Sequence, residues 1–377
     1  MMNFDEIRPY QDYEVQAAIE RLINEPRAFQ LLGYLFPDQS KSEILARARA
    51  IQSVRDLQAA FSAHAIRRIA KQTTDDLSFE GFSYLEDGKG HLFISNHRDI
   101  LLDSAFLNVL LFEEGFDTVE IGTGNNLFFS PVVTDLMKLN RSFIIHRNLP
   151  PRDLHRHSLR LSHYIRQRID QDGVSCWIAQ RNGRAKDGND LTETGLLKML
   201  DLSSEDFEEG FLELGLIPMA ISYEYEPCDG LKVRESYLRE QQAEYKKSKK
   251  EDYKSMLAGV TSPKGRVHLA LGKPLEAEIR ELARIVNKNE RFRQLRHLID
   301  QRIHQLYRLF PTHYLAADLL SNSSTYAAHY TKEEKERFLA HVARTLESLE
   351  GDRDWQRTCL LKLYARPVFN QVALSPT

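Results

Sequence analysis

The chain has 377 residues, a net charge of −3, 42% hydrophobic and 28% charged residues, which suits one large domain or two modest ones with a sizeable core. So even a charge balance excludes a global footprint for nucleic acid, and any anion site must be local. No run approaches the roughly 18–20 apolar residues of a membrane-spanning helix, and the opening "MMNFDEIRPYQDYE" carries acids where a secretory signal needs an apolar core.

Residues 1–75 read as a helical region, with apolar residues three and four apart in "YEVQAAIERLI" and in the long segment that follows. Short β-type runs then alternate with helical segments. The strands are expected at 77–84, 91–96, 118–123, 142–147, 174–180, 217–225 and 266–272, and the main helices at 100–114, 128–139, 151–171 and 235–257. That alternation predicts an α/β domain over 76–275, a sheet covered by helices. Residues 276–377 turn helical again, so the α/β domain has helical extensions at both ends. The lysine-rich "YKKSKKEDYK" (245–254) reads either as a solvated helix face or as a patch meeting anionic lipid headgroups. Cys176, Cys228 and Cys359 lie far apart without paired spacing. They are expected to be reduced thiols of a cytoplasmic protein, forming neither a disulfide nor a metal site.

"SNHRDILLD" (Ser95–Asp103) contains two signatures. The His-Arg-Asp of a protein kinase requires an Asn five residues past the Asp, and Ser104 stands there. No glycine-rich loop or strand lysine precedes it and no Asp-Phe-Gly follows, so the kinase reading fails. The second reading takes four segments in chain order: "FISNHRDILLD", "GTGNNLFFSPVVTDLMKLNRSFIIHRN", "WIAQRNGRAKDG" and "LIPMAISYEYEP". Together they resemble the four boxes of the glycerolipid acyltransferase superfamily, the glycerol-3-phosphate and lysophosphatidate acyltransferases. The third box departs from the family's pattern, with Gln180-Arg181 where the family has Glu-Gly.

The resemblance implies a central mixed sheet flanked by helices and an O-acyl transfer of glycerophospholipid type. His97, just past a strand end, would be the general base, a task that suits neutral imidazole at cytoplasmic pH. An acid must hold its other nitrogen. The family places that acid five residues after the His, where this chain has Leu102. Asp103, six residues on, would lie in the first helical turn with its side chain tilted back toward His97. Asp99, two residues on, is the other candidate, and its competing role is to cap the helix. For the acceptor's phosphate, Arg147 matches the arginine of the second box, while Gln180, Arg181, Arg184 and Lys186 crowd the third.

The expected reaction moves a fatty acyl group from acyl-CoA or acyl carrier protein to a hydroxyl of glycerol 3-phosphate or a lysophospholipid. No metal or redox cofactor and no nucleic acid is implied. The expected location is cytoplasmic, with peripheral contact on anionic membrane at the inner face. Two alternatives stand beside it. One is acyl transfer to a phosphate-free lysolipid such as a lyso-aminolipid, for which Arg147 and Arg184 would not matter. The other is a non-catalytic protein that binds lipid or acyl carrier.

Overall fold

Strand direction decides where chemistry can sit in an α/β sheet. In the computed structural model, which describes residues 2–26, 32–33, 35–242 and 244–374, seven strands form one sheet: β1 (Thr74–Glu80), β2 (Leu92–Ser95), β3 (Glu120–Gly124), β4 (Ser142–Ile145), β5 (Cys176–Ala179), β6 (Ile217–Tyr223) and β7 (Gly265–Leu271). Their order is β1-β7-β6-β2-β5-β3-β4. β6, β2, β5, β3 and β4 run parallel, whereas β7 pairs antiparallel with β6 and β1 runs with β7. The sheet is therefore mixed, and the carboxyl ends of five strands share one edge. Loops after such ends are where α/β proteins build their sites.

The central strands are apolar on both faces, as a sheet covered on both sides requires. In β2, Phe93 packs with Leu102, Phe106 and Leu110 of the helix Leu102–Glu113, while Leu92 and Ile94 join Ile165, Phe211 and Phe292 on the opposite face. The N-terminal helices bury their own cluster around Val15, Ile19, Ile44 and Phe61. A fourth cluster, around Leu315, Phe338, Leu360 and Tyr364, gathers the last three helices against Val233.

Several expected boundaries move. β1 starts at Thr74 and ends before Gly81, not at 77–84, and Phe82–Tyr84 is a short 3-10 turn. The single helix expected at 235–257 is two, Asp229–Gln241 and Lys249–Thr261. Ser248 starts the second one: its hydroxyl accepts from the Glu251 amide at 3.3 Å, and the Glu251 carboxylate accepts from the Ser248 amide at 2.9 Å. Reciprocal capping of this kind satisfies two orphan donors and fixes a helix start. The lysine-rich stretch thus spans a loop and a new helix. The Lys249 side chain lies outside the described residues. No helix among the described residues is long and apolar enough to cross a membrane.

Candidate active site

β2 ends at Ser95, and the next residue continues its pairing by side chain. Asn96 donates from Nδ2 to the Ile221 carbonyl and accepts at Oδ1 from the Ile221 amide, both at 2.9 Å. This pair of hydrogen bonds to β6 pins the chain where it leaves the sheet, and His97 follows. Its Nδ1 lies 2.8 Å from Asp103 Oδ2, and its ring stands edge-on to Trp177 with centroids 5.7 Å apart. The His97 side chain keeps 15% exposure while that of Asp103 keeps 1%. Asp103 Oδ2 also accepts from the amides of Arg98 at 2.6 Å and Asp99 at 3.0 Å, and Oδ1 accepts from the Tyr223 hydroxyl at 2.8 Å. The loop curls around this carboxylate, and that curl absorbs the extra residue between His and Asp.

Asp99 has a different surrounding. Its Oδ1 accepts from the amides of Leu101 and Leu102, both at 2.9 Å, which caps the helix Leu102–Glu113. Its Oδ2 is buried without a hydrogen-bond partner. Burial, then the neighbouring Asp103, raises the Asp99 pKa. Asp99 does not reach His97 by any hydrogen bond among the described residues.

Arg98 turns inward, fully buried. It pairs with Asp190 at 2.5 Å and Glu226 at 3.3 Å, and its guanidinium sits over the Tyr307 ring. Lys232 donates to the Arg98 carbonyl at 2.7 Å and pairs with Glu226. Two cations and two carboxylates thus lock the backbone beside His97 to the loop after β5 and to the helix Asp229–Gln241. Burial, joined by the negative charge of Glu226, pushes Asp190 up to about 6 against the pull of Arg98.

A model of the family described as Acyltransferase matches residues 76–203, the stretch from β1 through β5 and the helix Thr194–Leu200 that follows it, which leaves out β6 and β7. That segment is an acyltransferase domain. Among solved structures, the chain is similar to the 1-acyl-sn-glycerophosphate (LPA) acyltransferase PlsC from Thermotoga maritima, at 12% identity and a TM-score of 0.37, over 78% of this chain and 97% of that one. That likeness is too slight to bear on the reaction. No curated protein matches the sequence.

Within the matched segment, the basic residues of the second and third boxes stand on separate loops, after β4 and after β5. Arg184 is buried, with Nη1 lacking any hydrogen-bond partner. It and Lys186 lie on the Asp99 side, where Lys186 faces Glu235 at 3.4 Å. Burial, opposed by Glu235 and reinforced by Arg184, brings Lys186 down to about 8. Arg147 lies at the end of β4, three strand spacings from β2, roughly 14 Å at about 4.8 Å per strand. Its guanidinium rests on Gly124, where an added Cβ would stand 2.9 Å from Cζ. Burial lowers the Arg147 pKa, and Glu193 opposes that shift. Arg181 lines an open groove of about 550 Å³ with Glu193 and Arg296. Gln180 is fully buried, with neither side-chain polar atom bonded. Buried polar atoms normally find partners, so Gln180 and Arg184 are groups that a polar ligand could satisfy.

Sequence reasoning missed Tyr223, Asn96 and the charges around Arg98. Asn96 had a local signal, as a polar residue directly after an apolar strand. Tyr223 and Asp190 had none, since their partners lie 120 and 92 residues away in the chain. Phe143 packs in the core against Tyr164.

Proposed function

We propose that the acyltransferase domain moves a fatty acyl group from a thioester donor, acyl-CoA or acyl carrier protein, to a hydroxyl of glycerol 3-phosphate or a lysophospholipid, with His97 as general base. The observation that carries this reading is the 2.8 Å contact between His97 Nδ1 and Asp103 Oδ2 at the carboxyl end of β2. With Nδ1–H donated to Asp103, Nε2 is left as the acceptor. It takes the proton of the acceptor hydroxyl as that oxygen attacks the thioester carbonyl. The tetrahedral intermediate then collapses, the carbon–sulfur bond breaks, and the proton on Nε2 passes to the departing thiolate. Asp103 stabilises the imidazolium between those two steps. Arg184 and Lys186, nearest the pair's loop, would hold the acceptor's phosphate, with Arg147 at the far side.

The uncharged Gln180, buried with both side-chain polar atoms unbonded, favours a second reading in which the acceptor carries no phosphate. The test is a panel assay: purified chain, labelled palmitoyl-CoA or palmitoyl-acyl carrier protein, and acceptors including glycerol 3-phosphate, lysophosphatidate and a lyso-aminolipid. Product from a phosphate-bearing acceptor supports the first reading. Product from the lyso-aminolipid alone replaces it with the second.

A further inference from the structure

Helix Lys249–Thr261 stands out by what its two faces touch. Its inner face closes over the candidate site. The Gly259 backbone presses on Asp99, so closely that an added Cβ would stand 2.2 Å from Oδ2. The Ser255 carbonyl accepts from Cys228 Sγ at 3.1 Å. Asp252 accepts from Asn126, just past β3, at 3.1 Å. The helix therefore spans the loops after β2, β3 and β6, at the edge where His97 stands.

Its outer face is exposed and differs in character. Tyr253 and Leu257 are 56% and 52% exposed, one helical turn apart. The other large apolar residues exposed among the described residues are scattered: Leu154, Leu202 and Leu339, for example, sit on separate elements, and Val286 lies in a loop. Lys250 and Lys254 are exposed at neighbouring positions of the same face, and Lys246 is exposed in the loop before it. The helix's acids are turned inward and engaged: Glu251 with Arg234, Tyr245 and its own cap, and Asp252 with Lys247 and Asn126. Exposed Glu244, in the preceding loop, offsets one of the lysines.

We infer that this outer face, Lys250, Tyr253, Lys254 and Leu257 with Lys246 beside it, is the surface by which the protein docks on an anionic lipid bilayer. The inference deepens the proposed function and rests on it for its purpose, since it would bring the sheet edge that carries His97 close to the surface that holds a lipid acceptor. Two features identify the partner. Basic residues meet the negative potential of an anionic leaflet, and an aromatic and an aliphatic side chain one turn apart can enter the headgroup boundary. An acidic carrier protein would use the lysines and leave Leu257 without a role.

The test is co-sedimentation of the full chain, without substrate, with phosphatidylcholine vesicles and with vesicles containing phosphatidylglycerol. Binding to the anionic vesicles is expected, weakening as salt rises. Each lysine near such a surface contributes about 1 kcal/mol, roughly fivefold in partitioning. K250E/K254E should therefore bind at least roughly 25-fold more weakly, and Y253S/L257S should bind more weakly at every salt concentration. All four side chains are exposed, so melting curves should stay at the wild-type midpoint. His97→Ala should sediment like wild type, which separates docking from the reaction. Absence of vesicle binding, or undiminished binding by both double variants, would overturn the inference. Loss of acyl carrier protein binding in K250E/K254E, with vesicle binding intact, would overturn it as well.

Discussion

Asp103 takes three donors on one oxygen and one on the other. An amide cannot replace it, because its NH₂ would face a donor. Asp103→Asn should therefore lower turnover by about 10²–10⁴ through misorientation of His97. Asp99→Asn keeps an oxygen for the amides of Leu101 and Leu102 and should leave turnover within a few-fold. Its stability effect has a definite sign. Because burial raises the folded-state pKa of Asp99, its contribution to stability is complete below the unfolded carboxyl pKa and is lost as pH rises through the folded value. The Asn variant should thus gain on wild type in melting midpoint as pH rises through that window. A larger turnover loss in Asp99→Asn than in Asp103→Asn would exchange the two roles. Lys186, held down to about 8 mainly by burial, carries its charge below that pH and loses it above. If it holds a phosphate, the acceptor KM should climb as pH rises past 8, with kcat little changed. Lys186→Met should raise that KM at neutral pH and flatten its pH dependence. A wild-type acceptor KM that stays flat from pH 7 to 9 would remove Lys186 from the acceptor site.

At the level of elements, the helix Lys249–Thr261 is held against the site by a glycine. Gly259→Ala would drive a methyl into the Asp99 carboxylate, so the helix or the carboxylate that caps the neighbouring helix must shift. Overpacking of this sort costs about 1–3 kcal/mol, so the melting midpoint should fall, and turnover with it if the helix helps enclose the site. An unchanged midpoint would show that the helix is not clamped there. Part of this element was legible in the sequence. "SKKE" (248–251) is a capping box, yet lysine-rich polarity on both sides hid the break. Strand positions were readable because apolar runs such as "HLFISN" are bounded by turn residues. Their ends were not, since the sheet stops where pairing stops: β3 begins at Glu120, whose amide bonds the Ser175 carbonyl. The His97–Asp103 contact was readable for a local reason, six residues of separation across a helix start. The depth of Arg184 and the distance of Arg147 from β2 depend on strand order, which no local pattern encodes.

Across the whole molecule, the acyltransferase domain is tied to the C-terminal helices through buried charge. Arg98 joins Asp190 and Glu226; the Glu226 amide donates to the Tyr364 hydroxyl at 3.0 Å; and Tyr364 donates to Asp229, which also pairs with His341. The residue after the candidate base is thereby connected to His341 and Tyr364, on two helices and each more than 240 residues further along the chain. Removing one member of a buried pair typically costs 3–5 kcal/mol. Arg98→Ala should lose about that much in chemical denaturation, and a loss below about 1 kcal/mol would show that the network does not hold the loop. The most direct measurement of the base's role is single-turnover acyl transfer by His97→Ala beside wild type, with any acceptor that the panel assay finds active, together with the melting midpoint of both. His97 lies in a loop and keeps part of its surface exposed. The account therefore predicts a rate lower by about 10²–10⁴ with the midpoint little changed, whereas a folded variant retaining more than about half the wild-type rate would contradict it.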